Sequence, residues 1–166
     1  SVTPVGNMPH ALALMSGDTV KAIQSFDRHM PLEVPRVALV DTFRDEAEEA
    51  LSVARALREK LRGILIDTAE ERGGITHELV KEVRARLDQA KFPHVEIMVT
   101  GRFTPERIRD FIEVKTPINS FGVGAYIANA SPIPFQADIR EIDGRPMAKR
   151  GRIPGVTNNP RLDRVM

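Results

Sequence analysis

The chain has 166 residues, 42% hydrophobic and 28% charged, with a net charge of +1, no Cys and no Trp. Those values fit one globular domain with room for a core, while the missing Cys exclude disulfides, thiolate metal sites and a cysteine nucleophile. No apolar run approaches the roughly 18 residues of a membrane helix and no secretion signal opens the chain, so a cytoplasmic protein is expected.

The charge is uneven. From Gly144 onward six basic residues (Arg145, Lys149, Arg150, Arg152, Arg161, Arg164) face one acid, Asp163, which leaves the rest of the chain at −4. The tail has no interleaved aromatics and the whole chain has one Tyr, so nucleic-acid binding is not expected.

In chain order, His10 to Met15 and Asp18 to Arg28 read as helices broken at Ser16-Gly17, followed by a linker from Pro31 to Pro35. Val37 to Val40 is a buried strand ending on Asp41-Thr42. Arg44 to Leu61 reads as one long helix with Ala47, Ala50, Leu51, Ala54, Leu57 and Leu61 on its apolar stripe and acids in its first turns, as the helix dipole favours. Gly63 to Ile66 is the second strand, ending on Asp67-Thr68. Thr76 is a candidate N-cap for a helix running to about Ala90. The third strand, Val95 to Val99, ends on Thr100-Gly101, and Thr104-Pro105 is a strong start for the next helix. The fourth, Ile118 to Phe121, ends on Gly122. Beyond Gly124, the segments around Ile139 to Ile142 and Pro146 to Ala148 predict a hairpin turned at Asp143-Gly144, with loop after Arg152.

Four strands, the first three each followed by a helix, are the rhythm of β-α units, whose ligands bind at the carboxyl ends of the strands. We therefore expect an α/β fold: a partial β/α barrel of about four units with a C-terminal hairpin and basic tail, residues 1–166 forming a single domain. A closed barrel needs about eight strands. The opening Ser1-Val2-Thr3-Pro4, without Met, adds to the expectation of a fragment or subunit of a larger barrel.

Candidate site residues follow from the strand ends. Asp41 and Asp67 occupy matching positions where a carboxylate can bind ribose hydroxyls, hold a metal or act as a base. Gly101 with Thr100, and Gly122 with Gly124, could bring backbone amides close to a phosphate. A helix-capping Asp and a plain glycine turn are the bland alternatives. His10 stands near a helix start, whereas His29, His77 and His94 lack ligand-like spacing.

Six segments together resemble the C-terminal half of nicotinate phosphoribosyltransferases: Thr3 to His10, Val40 to Thr42, Ile66 to Thr68 with Glu71 to Gly74, Val99 to Gly101, Phe121 to Ile127 and Ala148 to Gly155. The resemblance implies a type II phosphoribosyltransferase barrel and an enzyme that joins nicotinate to phosphoribosyl pyrophosphate in NAD biosynthesis. Mg²⁺ and ATP assist, and active sites form at a dimer interface. By this match His10 takes the place of the histidine phosphorylated by ATP and Asp67 that of a carboxylate near the ribose. Gly101, Gly122 and Gly124 fall where amides hold the 5′-phosphate, and Asp41, Thr100, Arg102, Lys149 and Arg150 are further substrate-binding candidates. The chain departs from the family pattern at Leu65, where an arginine helps hold the base, and at Asn7, Arg102 and Ala125. A non-catalytic homologue that keeps the barrel without nicotinate binding, and a plain phosphate-sugar-binding module, are the alternative expectations.

Overall fold

The computed structural model describes residues 8–160. Most of the Thr3 to His10 segment, including Asn7, and the basic residues Arg161 and Arg164 lie outside the described residues. The chain divides after Ala130 into two compact units.

The first unit holds six helices and a four-stranded sheet among its described residues. Helices α1 (His10–Ser16) and α2 (Thr19–His29) meet at Gly17 and precede β1 (Arg36–Leu39). Then come α3 (Glu46–Leu57), β2 (Leu61–Ile66), α4 (His77–Gln89), β3 (Glu96–Thr100), α5 (Pro105–Glu113), β4 (Ser120–Gly122) and the single turn α6 (Ala125–Ala128). The strands are all parallel and lie side by side in chain order, β1-β2-β3-β4. A parallel sheet without a reversal of strand order is what successive crossovers of one kind produce.

Local chemistry explains the boundaries. Asp45, Thr76 and Thr104 each accept a hydrogen bond from the amide three residues on, capping α3, α4 and α5, and Pro105 supplies the pre-set first position of α5. One boundary departs from the sequence reading. The helix expected to reach Leu61 ends at Leu57: Arg58 turns the backbone at φ 50° into a single 3₁₀ turn, and Leu61 opens β2, fully buried. An apolar residue four beyond Leu57 fits a helical stripe and a strand equally, and here the sheet claims it. The helical turn α6 was not expected; four residues carry too little periodicity to register.

Period-two alternation divides the strand residues between the faces of the sheet. Ala38, Val40, Ile64, Ile66, Ile97 and Val99 join the main core with Ala50, Val53, Val80, Val83 and Leu87 of α3 and α4. Val37, Leu39 and Leu65, with Met98 beside them, form a separate small cluster on the other face.

In the second unit, β5 (Glu141–Ile142) and β6 (Arg145–Pro146) pair antiparallel, Ile142 opposite Arg145. The expected turn forms, with Asp143 and Gly144 both at positive φ (47° and 74°), the requirement of a two-residue hairpin turn. Among the described residues no helix is long and apolar enough to cross a membrane.

Candidate functional site at the carboxyl edge of the parallel sheet

The strand register brings the four loop starts to one edge. Leu39 pairs with Leu65, Leu65 with Met98 and Met98 with Ser120, so that Asp41, Asp67, Thr100 and Gly122, each two residues along from that row, continue the face of the small cluster at or just past the strand ends. Asp41 and Asp67 thus leave the sheet on the same side.

His10, the first residue of α1, reaches this edge. Its Nε2 lies 3.2 and 3.1 Å from the two carboxylate oxygens of Asp41, whose side chain is 4% exposed against 40% for the imidazole. With Asp41 ionised, Nε2 donates and Nδ1 keeps the lone pair, so the pair orients a ring nitrogen able to attack or accept a proton. Burial pushes the Asp41 carboxyl above the ordinary carboxylate range; the bond and charge of His10 oppose the rise, and Asp67 and Glu46 add to it. Asp67 is also raised by burial, against the pull of His10. Among the described residues the Asp67 carboxylate has no hydrogen-bond partner.

The glycines beside these acids differ in what they require. Gly101 adopts φ +129°, a conformation side-chain-bearing residues rarely reach, and a Cβ there would stand 3.6 Å from Oδ1 of Asp67. At Gly122 a Cβ would meet Oγ1 and Cβ of Thr100 at 2.8 and 2.9 Å. Thr100 donates its hydroxyl to the Gly122 carbonyl at 3.3 Å, so these two loop ends are in direct contact. Gly124, by contrast, precedes α6, and a Cβ there would meet nothing within 4 Å. Arg102 is exposed at φ 47°. Lys149 and Arg150 are exposed in the second unit. Leu65 lies on the same face as Asp67, two residues before it, buried among Val37, Leu39 and Met98.

Three supporting residues escaped the sequence reading. Glu49 accepts hydrogen bonds from the amides of Thr42, Phe43 and Arg44 and from the Thr19 hydroxyl. Glu46 accepts from the Thr68 hydroxyl at 2.7 Å. Arg107 donates to the carbonyls of Gly101 and Ile75 and lies 4.8 Å over the Phe103 ring, tying down the loop after β3. The signal for the two glutamates was their helical phase, in line with Val53, which points them inward rather than to solvent.

This edge thus brings together an imidazole, the buried carboxylate of Asp41, the half-buried carboxylate of Asp67 and glycine loop ends; loop amides of this kind can approach an anion, and carboxylates can stabilise developing positive charge. No family model matches the chain. It is 30% identical over 131 residues to nicotinate phosphoribosyltransferase pncB2 of Mycobacterium tuberculosis, in two strains, covering 78% of this chain and 27% of the relative. The crystal structure of nicotinate-nucleotide pyrophosphorylase from Pyrococcus furiosus superposes with a TM-score of 0.73 at 43% identity, over 92% of this chain and 38% of that one. The chain therefore spans about a quarter of the length of the curated relatives it matches. Within that span, the chain resembles the nicotinate phosphoribosyltransferases.

Proposed function

We propose that this chain is the phosphoribosyl-binding part of a nicotinate phosphoribosyltransferase, a partial β/α barrel working in the cytoplasm. The observation that carries the reading is the convergence of His10, Asp41 and Asp67 beside the Gly101 and Gly122 loop ends, in a chain similar to enzymes named for nicotinate and its nucleotide. In the reaction the nicotinate nitrogen bonds to the ribosyl C1 as the C1–O bond to pyrophosphate breaks. Asp67 faces the positive charge that builds on the ribose, and the amides around Gly101 and Gly122 hold the 5′-phosphate. His10, held by Asp41, is the acceptor for the phosphoryl group of ATP: an N–P bond forms as ADP leaves.

Among the described residues no three ligating side chains converge to cage a metal. The donor set instead suits Mg²⁺ held mainly by diphosphate oxygens and one carboxylate, Asp67, which is otherwise unbonded. Bound there, the ion would neutralise charge on the leaving pyrophosphate.

The sheet's outer strands β1 and β4 each have a single neighbour among the described residues. That supports completion of the barrel by a further segment or by a second copy of the chain. One observation favours a second reading. Leu65 packs in an apolar cluster and offers no donor to a carboxylate base, as in a homologue that keeps phosphoribosyl binding but not nicotinate.

The test is nicotinate mononucleotide formation by the full-length protein from nicotinate and phosphoribosyl pyrophosphate, with Mg²⁺ and ATP. We expect turnover, reduced about a hundredfold or more by Asp67→Asn. Phosphoribosyl pyrophosphate binding without nicotinate turnover would support the second reading, and absence of both would overturn the proposal.

A further inference from the structure

Asp41 and Asp67 stand on loops, and a carboxylate on a loop is only as well placed as the loop itself. Both loops are anchored by one helix. Glu49 of α3 gathers the amides of Thr42, Phe43 and Arg44 at 3.2, 2.8 and 3.2 Å, and the Thr19 hydroxyl of α2 at 2.9 Å. Three residues earlier, Glu46 takes the Thr68 hydroxyl, immediately after Asp67, and lies 3.6 Å from an Arg72 nitrogen. We propose that Glu46 and Glu49 are positioning residues, through which α3 sets Asp41 and Asp67 relative to each other and to His10. The inference rests on the reading of this edge as the active site.

A helix-start role does not account for them. Asp45 already caps α3 through the Glu48 amide, and Glu48, in the same turn, is exposed beside Arg44. Only Glu46 and Glu49 are turned inward, each 2% exposed. A buried carboxylate costs more to desolvate than an apolar side chain of similar size, so each of these must be matched by donors. Glu49 recovers that cost with four donors and no cation among the described residues. What this arrangement adds is geometric: two loops, two aspartates, one rigid helix between them.

The test uses Glu49→Gln and Glu46→Gln in the full-length protein. Glutamine keeps the size and one acceptor but turns an NH₂ towards donors. For Glu49→Gln we expect amide hydrogen exchange at Thr42, Phe43 and Arg44 to rise about ten- to a hundredfold. The His10 ring signals in NMR should move towards those of Asp41→Asn. Glu46→Gln should leave those three amides protected and move the Asp67 carboxyl signal instead. Where turnover is present, kcat should fall about ten- to a hundredfold with little change in the KM for phosphoribosyl pyrophosphate. Should either variant fail to fold, Thr19→Val and Thr68→Val each remove one donor and leave the carboxylates in place; changes of the same sign, about three- to tenfold, are then expected. A merely structural role lowers the melting temperature and leaves the His10 and Asp67 signals of the folded protein unchanged, which would overturn the proposal. Exchange and ring signals report on positioning even if no nicotinate is turned over, so the two readings fail separately.

Discussion

The two ends of the parallel sheet treat the same side chain in opposite ways. At the amino end Asp27 lies between Lys60 and Arg36, whose hydrogen bonds and charges hold its carboxyl below the ordinary range. At the carboxyl end burial drives Asp41 and Asp67 up, and only an imidazole opposes it. Arg36 itself is buried and donates to the carbonyls of Asp27, Met30, Pro31 and Val34 as well as to the Asp27 carboxylate. One end has its charges compensated and its backbone closed off, as a stabilising face requires. The other holds carboxylates at a cost to folding, which supports the proposal that this is the face that binds substrate.

The largest effect should come from the compensated end. Arg36→Met removes five hydrogen bonds from a buried position and strands several carbonyls, and should cost about 3–5 kcal/mol in urea unfolding. Phosphoribosyl pyrophosphate affinity of the fraction that folds should be unchanged.

At the carboxyl edge, Gly122→Ala forces Thr100 aside, since the new carbon would sit 2.8 Å from its hydroxyl. We expect about 1–3 kcal/mol of destabilisation and a loss of at least about tenfold in phosphoribosyl pyrophosphate affinity by calorimetry.

The pH dependence should divide the ends by sign. Asp67, raised in the folded state above 3.8, binds protons there more tightly than in the unfolded chain, so its contribution to stability is full below that value and is lost as pH rises through the folded one. Asp67→Asn should therefore raise the melting temperature at pH 7, and the gain should vanish near pH 3. Asp27, lowered in the folded state, contributes above 3.8 and loses that contribution as pH falls through its depressed value. Asp27→Asn should lower the melting temperature at pH 7 and approach the wild type in acid. Paired melting curves from pH 3 to 7 check both signs.

The smallest effect sharpens the comparison within the edge. Gly124→Ala meets open space at φ −105° and should change stability by less than about 0.5 kcal/mol. A change in phosphate affinity there would then report contact with ligand rather than damage to the fold.

Much of this arrangement is legible in the sequence, and what is not has a physical reason. Buried parallel strands announce themselves as continuous apolar runs, and Thr76 and Thr104 mark helix starts because capping is local chemistry. Asp41 and Asp67 stand out by their matching places. The partnership of His10 with Asp41 spans 31 residues and needs the fold to be seen. Glu46 and Glu49 stayed hidden because an acid in a first helical turn reads the same whether it faces water or clamps a loop. Leu65 could be placed on a strand, but its face depends on register, which a run of apolar residues does not display.

The central claim, that the carboxyl edge of the sheet binds the phosphoribosyl group, is tested most directly by amide hydrogen exchange of the full-length protein with and without phosphoribosyl pyrophosphate and Mg²⁺. Protection should appear at residues 41–42, 67–68, 100–103 and 121–124, and not around Arg36 or Lys60. Binding that leaves those four segments unchanged, or protects the cation-rich amino end instead, would contradict it.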